Sequence, residues 1–169
     1  MWAGILASSC DEAGTDDSNV VFISTLKQLT ILQVRLLKYS VENANKLLSS
    51  AGWPYAMDLD CSLEKLIEIC QTDDTLRIDR EMDHLRSLEL IGGHGGGGFS
   101  PNSNKANITP TPYALNLYIR GEGFPGSAIE YWDLKTPKEN ESIDANKELQ
   151  PTVKTPVESG NEQGTAAEL

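Results

Sequence analysis

The chain has 169 residues, of which 14 are basic and 25 acidic, and its formal net charge is −11. Such a charge repels the phosphate backbone and argues against non-specific binding to nucleic acid. Hydrophobic residues make up 39%, enough for one folded domain, and none of their runs approaches the roughly 18 consecutive residues that a membrane span needs.

Residues 1–18 are predicted to be the remnant of a helix followed by a polar loop. Residues 2–7 have helical apolar spacing, and the residues after Cys10 are polar. A helix that starts at the initiator with an exposed Trp2 indicates a lost packing partner, so we expect an N-terminally truncated form of a longer protein. The opening residues carry no basic side chain, which argues against a secretory signal.

Two helices are predicted next. Ser18 or Asn19 is a suitable cap for the first, whose apolar positions follow helical spacing. Thr30 with Gln33 three residues later fits a capping box, so a second helix begins there and fades near Leu48. We expect residues 51–60 to be a connection with one strand-like turn.

A helix-turn-helix unit is predicted between residues 62 and 90. Ser62 or Asp60 begins a short helix that ends near residue 71, and a polar turn follows. The second helix covers residues 76–90, and Gly92 is predicted to be its left-handed stop. Two helices joined by a short polar turn form the helix-turn-helix arrangement.

A glycine-rich loop, a returning strand and another helix complete the predicted domain. Residues 93–98 would form the loop and residues 106–109 the strand. Thr111 then caps a helix with Pro112 at its first position, where the missing N–H of proline has no cost. The predicted fold class is therefore mainly α with a small β-wing (α+β), a winged helix-turn-helix-like domain over residues 19–136.

Residues 137–169 are predicted to be a disordered acidic tail. This segment contains three lysines, seven acidic residues and no aromatic residue. Such a composition buries too little apolar surface to offset the entropy of ordering the chain. The residues before it keep an acidic excess of their own, so the tail alone does not explain the net charge.

The glycine run formally matches a dinucleotide-binding fingerprint. Gly93, Gly95 and Gly98 have the required spacing. That chemistry needs a strand before the glycines and a helix after them, and here the predicted order is reversed. A wing tip is the favoured interpretation, and no cofactor is expected.

The second helix of the predicted helix-turn-helix unit carries four basic side chains that are candidate nucleic-acid-binding residues: Arg77, Arg80, His84 and Arg86. The first three are spaced three and four residues apart and share a face, as a DNA-reading helix requires. Acidic residues at positions 79, 81, 83 and 89 lie among them. Because mixed-sign faces are usually solvated and crossed by ion pairs, that alternative is favoured.

The sequence contains no recognisable catalytic or metal-binding constellation. His84 and His94 are the only histidines, and neither has a cysteine at metal-ligand spacing. A pair of Cys70 with His84 lacks an orienting group, and Cys70 lies on the apolar face of its helix. Without a Cys-x-x-Cys motif, the three cysteines fit a reduced, cytoplasmic protein. We predict that the chain is not an enzyme and binds no metal.

Four short motifs in a fixed order resemble the abortive-infection protein alpha (Abi-alpha) family of bacteria, in its C-terminal part. They are Trp2-Ala3-x-x-Leu6-Ala7, Phe22-x-x-x-Leu26-x-x-Leu29, Leu85-x-x-Leu88-x-Leu90-Ile91 and Ile108-x-x-Thr111. The resemblance spans residues 2–118. It implies a sizeable region before the first motif that this chain lacks, and a shorter wing than the glycine run seen here.

What the resemblance implies is phage defence, in which an infected cell stops growing before the phage matures. The resemblance implies no catalytic residues. We therefore predict a non-catalytic bacterial phage-defence protein that binds a phage or host protein, or a second copy of itself. A winged-helix DNA-binding transcriptional regulator is the alternative, and a structural dimerisation module is a third. Trp53, Tyr55 and the pair Tyr131–Trp132 are candidate interface anchors, and buried packing explains them equally well.

Overall fold

The computed structural model describes residues 1–9, 17, 19–92, 99 and 104–135. Over these residues the chain is mainly helical, with two small antiparallel sheets of two strands each. This confirms the predicted fold class at the level of a mainly α, α+β domain. The predicted tail at residues 137–169 and the glycine run at residues 93–98 lie outside the described residues.

The described residues form seven helices and four strands. In chain order these are α1 (Trp2–Ser8), α2 (Val20–Leu26), α3 (Ile31–Asn43), β1 (Lys46–Leu48), β2 (Pro54–Ala56), β3 (Asp60–Ser62), α4 (Leu63–Cys70), α5 (Thr75–Ser87), β4 (Lys105–Asn107), α6 (Pro112–Gly121) and α7 (Ala128–Tyr131).

Several predicted helix starts are confirmed by their capping bonds. The Thr30 hydroxyl accepts from the N–H of Gln33, whose side chain accepts from the N–H of Thr30, so the capping box is complete. Ser62 and Thr111 cap α4 and α6 in the same manner, each accepting from an N–H three residues later. Pro112 occupies the first position of α6, as proposed from the sequence.

The prediction was wrong at two helix ends. The second predicted helix, α3, ends at Asn43 rather than near Leu48, because Ala44 turns to extended backbone and the chain enters strand β1. Gly92 is not the left-handed stop after α5. Glu89 takes that conformation instead, with φ 57°, while the N–H of Gly92 donates to the carbonyl of Thr109.

Strands β3 and β4 flank the α4–α5 pair in sequence and join it to α6. They pair antiparallel, with Asp60 opposite Asn107, and a further bridge links Ile91 with Pro110. The Ser40 hydroxyl of α3 donates to the carbonyl of Ile108 just beyond β4. This sheet therefore holds residues 109–112 in a fixed position relative to the helices.

The core surrounds α3, which contacts α4, α5 and α6. Each of these four helices turns at least one fully buried side chain inwards, and each such side chain contributes about 1.5–3 kcal/mol relative to exposure. The fully buried leucine, isoleucine and methionine side chains of α3–α6 are Leu36, Leu37, Leu66, Ile78, Met82, Leu85, Leu115, Leu117 and Ile119.

Helix α1 docks on α6 through a close backbone contact. A Cβ atom added to Gly4 would lie 1.8 Å from the carbonyl oxygen of Gly121, so no larger residue fits there without movement. Ile5 is fully buried beside it. The predicted first helix is thus present, and its inner face is covered by α6.

Candidate protein-interaction surface

The four basic residues predicted on α5 do not form one exposed cluster. Arg77 and Arg80 are both exposed, and Nε of Arg77 lies 3.7 Å from a carboxylate oxygen of Glu81. Two residues along a helix correspond to a rotation of about 200°, so Arg86 lies on the flank opposite His84. Its side chain is 16% exposed and forms an ion pair with Asp83.

His84 belongs to a polar junction between α3 and α5. Its Nδ1 lies 2.8 Å from Nε2 of Gln33, whose side chain is buried. Because Oε1 of Gln33 already accepts from the N–H of Thr30, Nε2 is the donor and Nδ1 of His84 the acceptor. The Thr30 hydroxyl also donates to Glu81 at 2.9 Å. Of the four predicted residues, His84 therefore contributes to helix packing in this structure.

The sequence analysis predicted neither the β1–β2 hairpin nor strand β3. Leu47 pairs with Tyr55, and Gly52 takes φ 82° in the turn, a conformation that favours glycine. The Trp53 N–H donates to Oγ of Ser49 at 2.9 Å, so the turn is fixed by its own side chain. Within the predicted connection, residues 54–56 and Asp60 are strand, so the strand-like turn is present there, whereas its pairing with Lys46–Leu48 was not predicted.

One face of this hairpin exposes three large apolar side chains. Trp53, Tyr55 and Met57 alternate along the chain and so point to the same side of the sheet. They are 72%, 36% and 50% exposed. A contiguous exposed set of aromatic and methionine side chains is typical of a protein-binding surface. The period-two spacing of these residues was the sequence signal for it.

A cavity of about 370 Å³ adjoins the hairpin and is lined by Tyr55, Ala56, Gly92, Thr109, Pro110, Thr111 and Pro112. Its walls are held by hydrogen bonds. Oγ1 of Thr109 accepts from the N–H of Leu59 at 2.8 Å, and the Thr111 hydroxyl donates to the carbonyl of Glu89. We call the exposed face of Trp53, Tyr55 and Met57, together with this cavity, the hairpin surface.

Of the other predicted anchor pair, Trp132 is packed and Tyr131 is exposed. Trp132 stacks on Tyr118 with ring centroids 6.3 Å apart, and Nζ of Lys46 lies 5.3 Å from the centre of the Trp132 ring. Burial there lowers the pKa of Lys46, against the opposing charge of Glu42. Tyr131 is 38% exposed and meets Phe124 edge to face. Packing therefore explains Trp132, whereas Trp53 stays open to solvent.

The described residues offer no reactive constellation beside this surface. They contain no group of three or more histidine, cysteine or acidic side chains placed to hold a metal ion. Cys61 and Cys70 are buried free thiols, and burial raises the pKa of Cys70 to about 11. A thiol held protonated is a poor nucleophile. Cys70 thus lies in the core, as predicted.

The comparisons with known proteins identify the family. Residues 1–103, more than half of the chain, match the family model described as abortive infection alpha. The chain belongs to the abortive infection alpha family. The match occupies the N-terminal part of this chain and not its C-terminal part, so the motif Ile108-x-x-Thr111 lies beyond it. Searches of the curated proteins and of the solved structures each found no significant match.

The family match contains the hairpin and both helices α4 and α5, but not α6 or α7. The hairpin surface is therefore composite, with Tyr55 and Ala56 inside the match and residues 109–112 outside it. Among the described helices, none is both long enough and apolar enough to cross a membrane.

Proposed function

We propose that this abortive infection alpha protein acts in phage defence as a non-catalytic module that binds a protein through the hairpin surface. The observation that carries the proposal is the exposed row of Trp53, Tyr55 and Met57. Tryptophan, tyrosine and methionine are enriched at interfaces, and tryptophan and tyrosine are among the residues that contribute most binding energy. A cytoplasmic location goes with this proposal, since abortive infection acts on the infected cell from within.

Charge favours a protein partner over nucleic acid. Residues 19–135 contain 14 acidic and 11 basic side chains. On α5, Arg77 and Arg86 lie beside Glu81 and Asp83, which offset their charge. A surface of this kind gives little long-range attraction for a phosphate backbone.

The second candidate, a winged-helix DNA-binding regulator, is favoured by the order of elements. Strand β3, the helices α4 and α5, the bridge at Ile91 and strand β4 follow one another as in a winged helix, and β3 pairs antiparallel with β4. In that function α5 would enter the major groove with Arg77 and Arg80 as exposed cations. Duplex binding that weakens with salt, with a slope reduced by about one in Arg80→Ala, would support it.

The test of the proposed function is phage plating efficiency on cells that express the chain. We expect protection by the wild type and loss of most of it in Trp53→Ser, because removing a central interface anchor weakens binding by about tenfold or more. Ile31→Ser is the matched control, since Ile31 is 74% exposed on a different element. Equal protection by both variants, or none by the wild type against a broad phage panel, would contradict the proposal.

A further inference from the structure

Strand β2 contributes Tyr55 and Ala56 to the lining of the cavity. In β1–β2, the N–H of Ser49 donates to the carbonyl of Trp53, and the N–H of Met57 donates to the carbonyl of Asn45, both at 2.9 Å. Hydrogen-bonded and non-hydrogen-bonded pairs alternate in an antiparallel ladder. Ala56 therefore belongs to a non-hydrogen-bonded pair, and its N–H and carbonyl point away from β1. Ala56 is 6% exposed and is one of the residues that line the cavity.

An extended chain suits this edge better than a compact ligand does. A strand edge offers alternating backbone donors and acceptors, which an incoming strand satisfies by pairing with them. Pro110 and Pro112, which lack N–H groups and carry apolar rings, also line the cavity. The lining thus combines a strand residue with apolar proline rings.

Charge near the cavity selects the composition of such a chain. Asp60 is exposed and follows Leu59, whose N–H is bonded to the cavity residue Thr109. Glu89 is exposed and accepts, through its carbonyl, from the Thr111 hydroxyl. Both acidic residues are thus close along the chain to backbone groups that bond the lining, and carboxylates attract lysine or arginine and disfavour an acidic peptide.

We propose that the cavity binds an extended segment of the protein partner, which pairs with Ala56 and places an apolar side chain between Tyr55 and Pro112, next to a lysine or arginine. This inference rests on the proposed function and names the chemistry of its partner.

The test is selection of random linear peptides displayed on yeast against the purified full chain, followed by fluorescence-polarisation titration of the enriched peptides. Gly92→Leu is the blocking variant, because no described atom lies within 4 Å of the position of its Cβ. Ala56→Pro removes the outward N–H, and Pro54 already occupies the equivalent position two residues earlier. Gln28→Leu adds the same side chain as the blocking variant at an exposed site in the turn between α2 and α3.

We expect enriched peptides to combine apolar with basic residues and to bind Gly92→Leu about tenfold more weakly. Binding to Ala56→Pro should fall about fivefold, the equivalent of one hydrogen bond. N-methylation of alternate peptide bonds should also weaken binding, and Gln28→Leu should bind as the wild type does.

Two results would overturn the inference. If the enriched peptides bind Gly92→Leu as tightly as the wild type, their binding site lies outside the cavity. If no peptide is enriched, the chain does not bind extended peptides in this way. Neither result tests the proposed function. That function is contradicted separately if Trp53→Ser protects cells as well as Ile31→Ser does. Circular dichroism of each variant shows whether its fold is retained.

Discussion

The buried Gln33 amide donates to Nδ1 of His84 and joins α3 to α5. This contact gives His84, chosen from the sequence as a candidate nucleic-acid contact, a packing role. Arg80, four residues earlier, is exposed and free of this junction. Spacing along α5 placed both residues on one face but did not reveal which neighbouring helix covers part of that face.

We expect Gln33→Ala to lower the free energy of unfolding by about 1–3 kcal/mol, because the substitution leaves buried polar groups without partners. Arg80→Ala should change it by no more than about 0.5 kcal/mol, as is usual for exposed positions. Urea unfolding of both variants measures the difference. Equal effects of the two substitutions would contradict the packing role of the junction.

The Cys70 thiol gives a pH dependence. Its pKa is raised by burial from the ordinary 9.0 to about 11, so the folded state retains a proton that the unfolded state loses. The resulting stability is fully present below pH 9 and is lost as the pH rises towards 11. In Cys70→Ala the fall in unfolding free energy over this range should be smaller by on the order of 1–2 kcal/mol. Urea unfolding at intervals across the range checks this, and an unchanged fall would count against it.

Among the elements, α1 depends on glycine. Gly4 lies so close to the carbonyl of Gly121 that a Cβ has no room. We expect Gly4→Ala to destabilise the protein by about 1–3 kcal/mol or to detach α1. Ala3→Leu, which adds a larger side chain at an exposed position of the same helix, is the control. Urea unfolding followed by tryptophan fluorescence reports both effects, and equal stability of Gly4→Ala and wild type would refute the close contact.

The elements also show where sequence reasoning succeeds. Caps such as Thr30 with Gln33 and the Thr111–Pro112 pair depend on residues three or fewer positions apart, so local chemistry was sufficient to place them. The β1–β2 hairpin was missed because Lys46–Leu48 continues the apolar spacing of α3, and only pairing with Pro54–Ala56 makes it a strand. Likewise, no local signal brings residues 109–112 beside Tyr55 to form the cavity.

For the whole molecule, the family membership and the net charge are consistent with the same function. Membership of the abortive infection alpha family gives the biological setting, and an acidic chain with an exposed aromatic hairpin favours protein binding within it. The order of elements that resembles a winged helix is compatible with this, because that arrangement also serves protein recognition. The two functions differ in the surface that each requires, either the hairpin surface or the exposed face of α5.

The most direct measurement is therefore a comparison of two surface variants in one phage-plating assay. The first is the double variant Trp53→Ser with Met57→Ser, and the second is Arg80→Ala, each expressed at the level of the wild type. Protein binding through the hairpin predicts that the double variant loses protection while Arg80→Ala keeps it. Loss of protection in Arg80→Ala alone, with the hairpin variant fully protective, would contradict the account and place the function on α5.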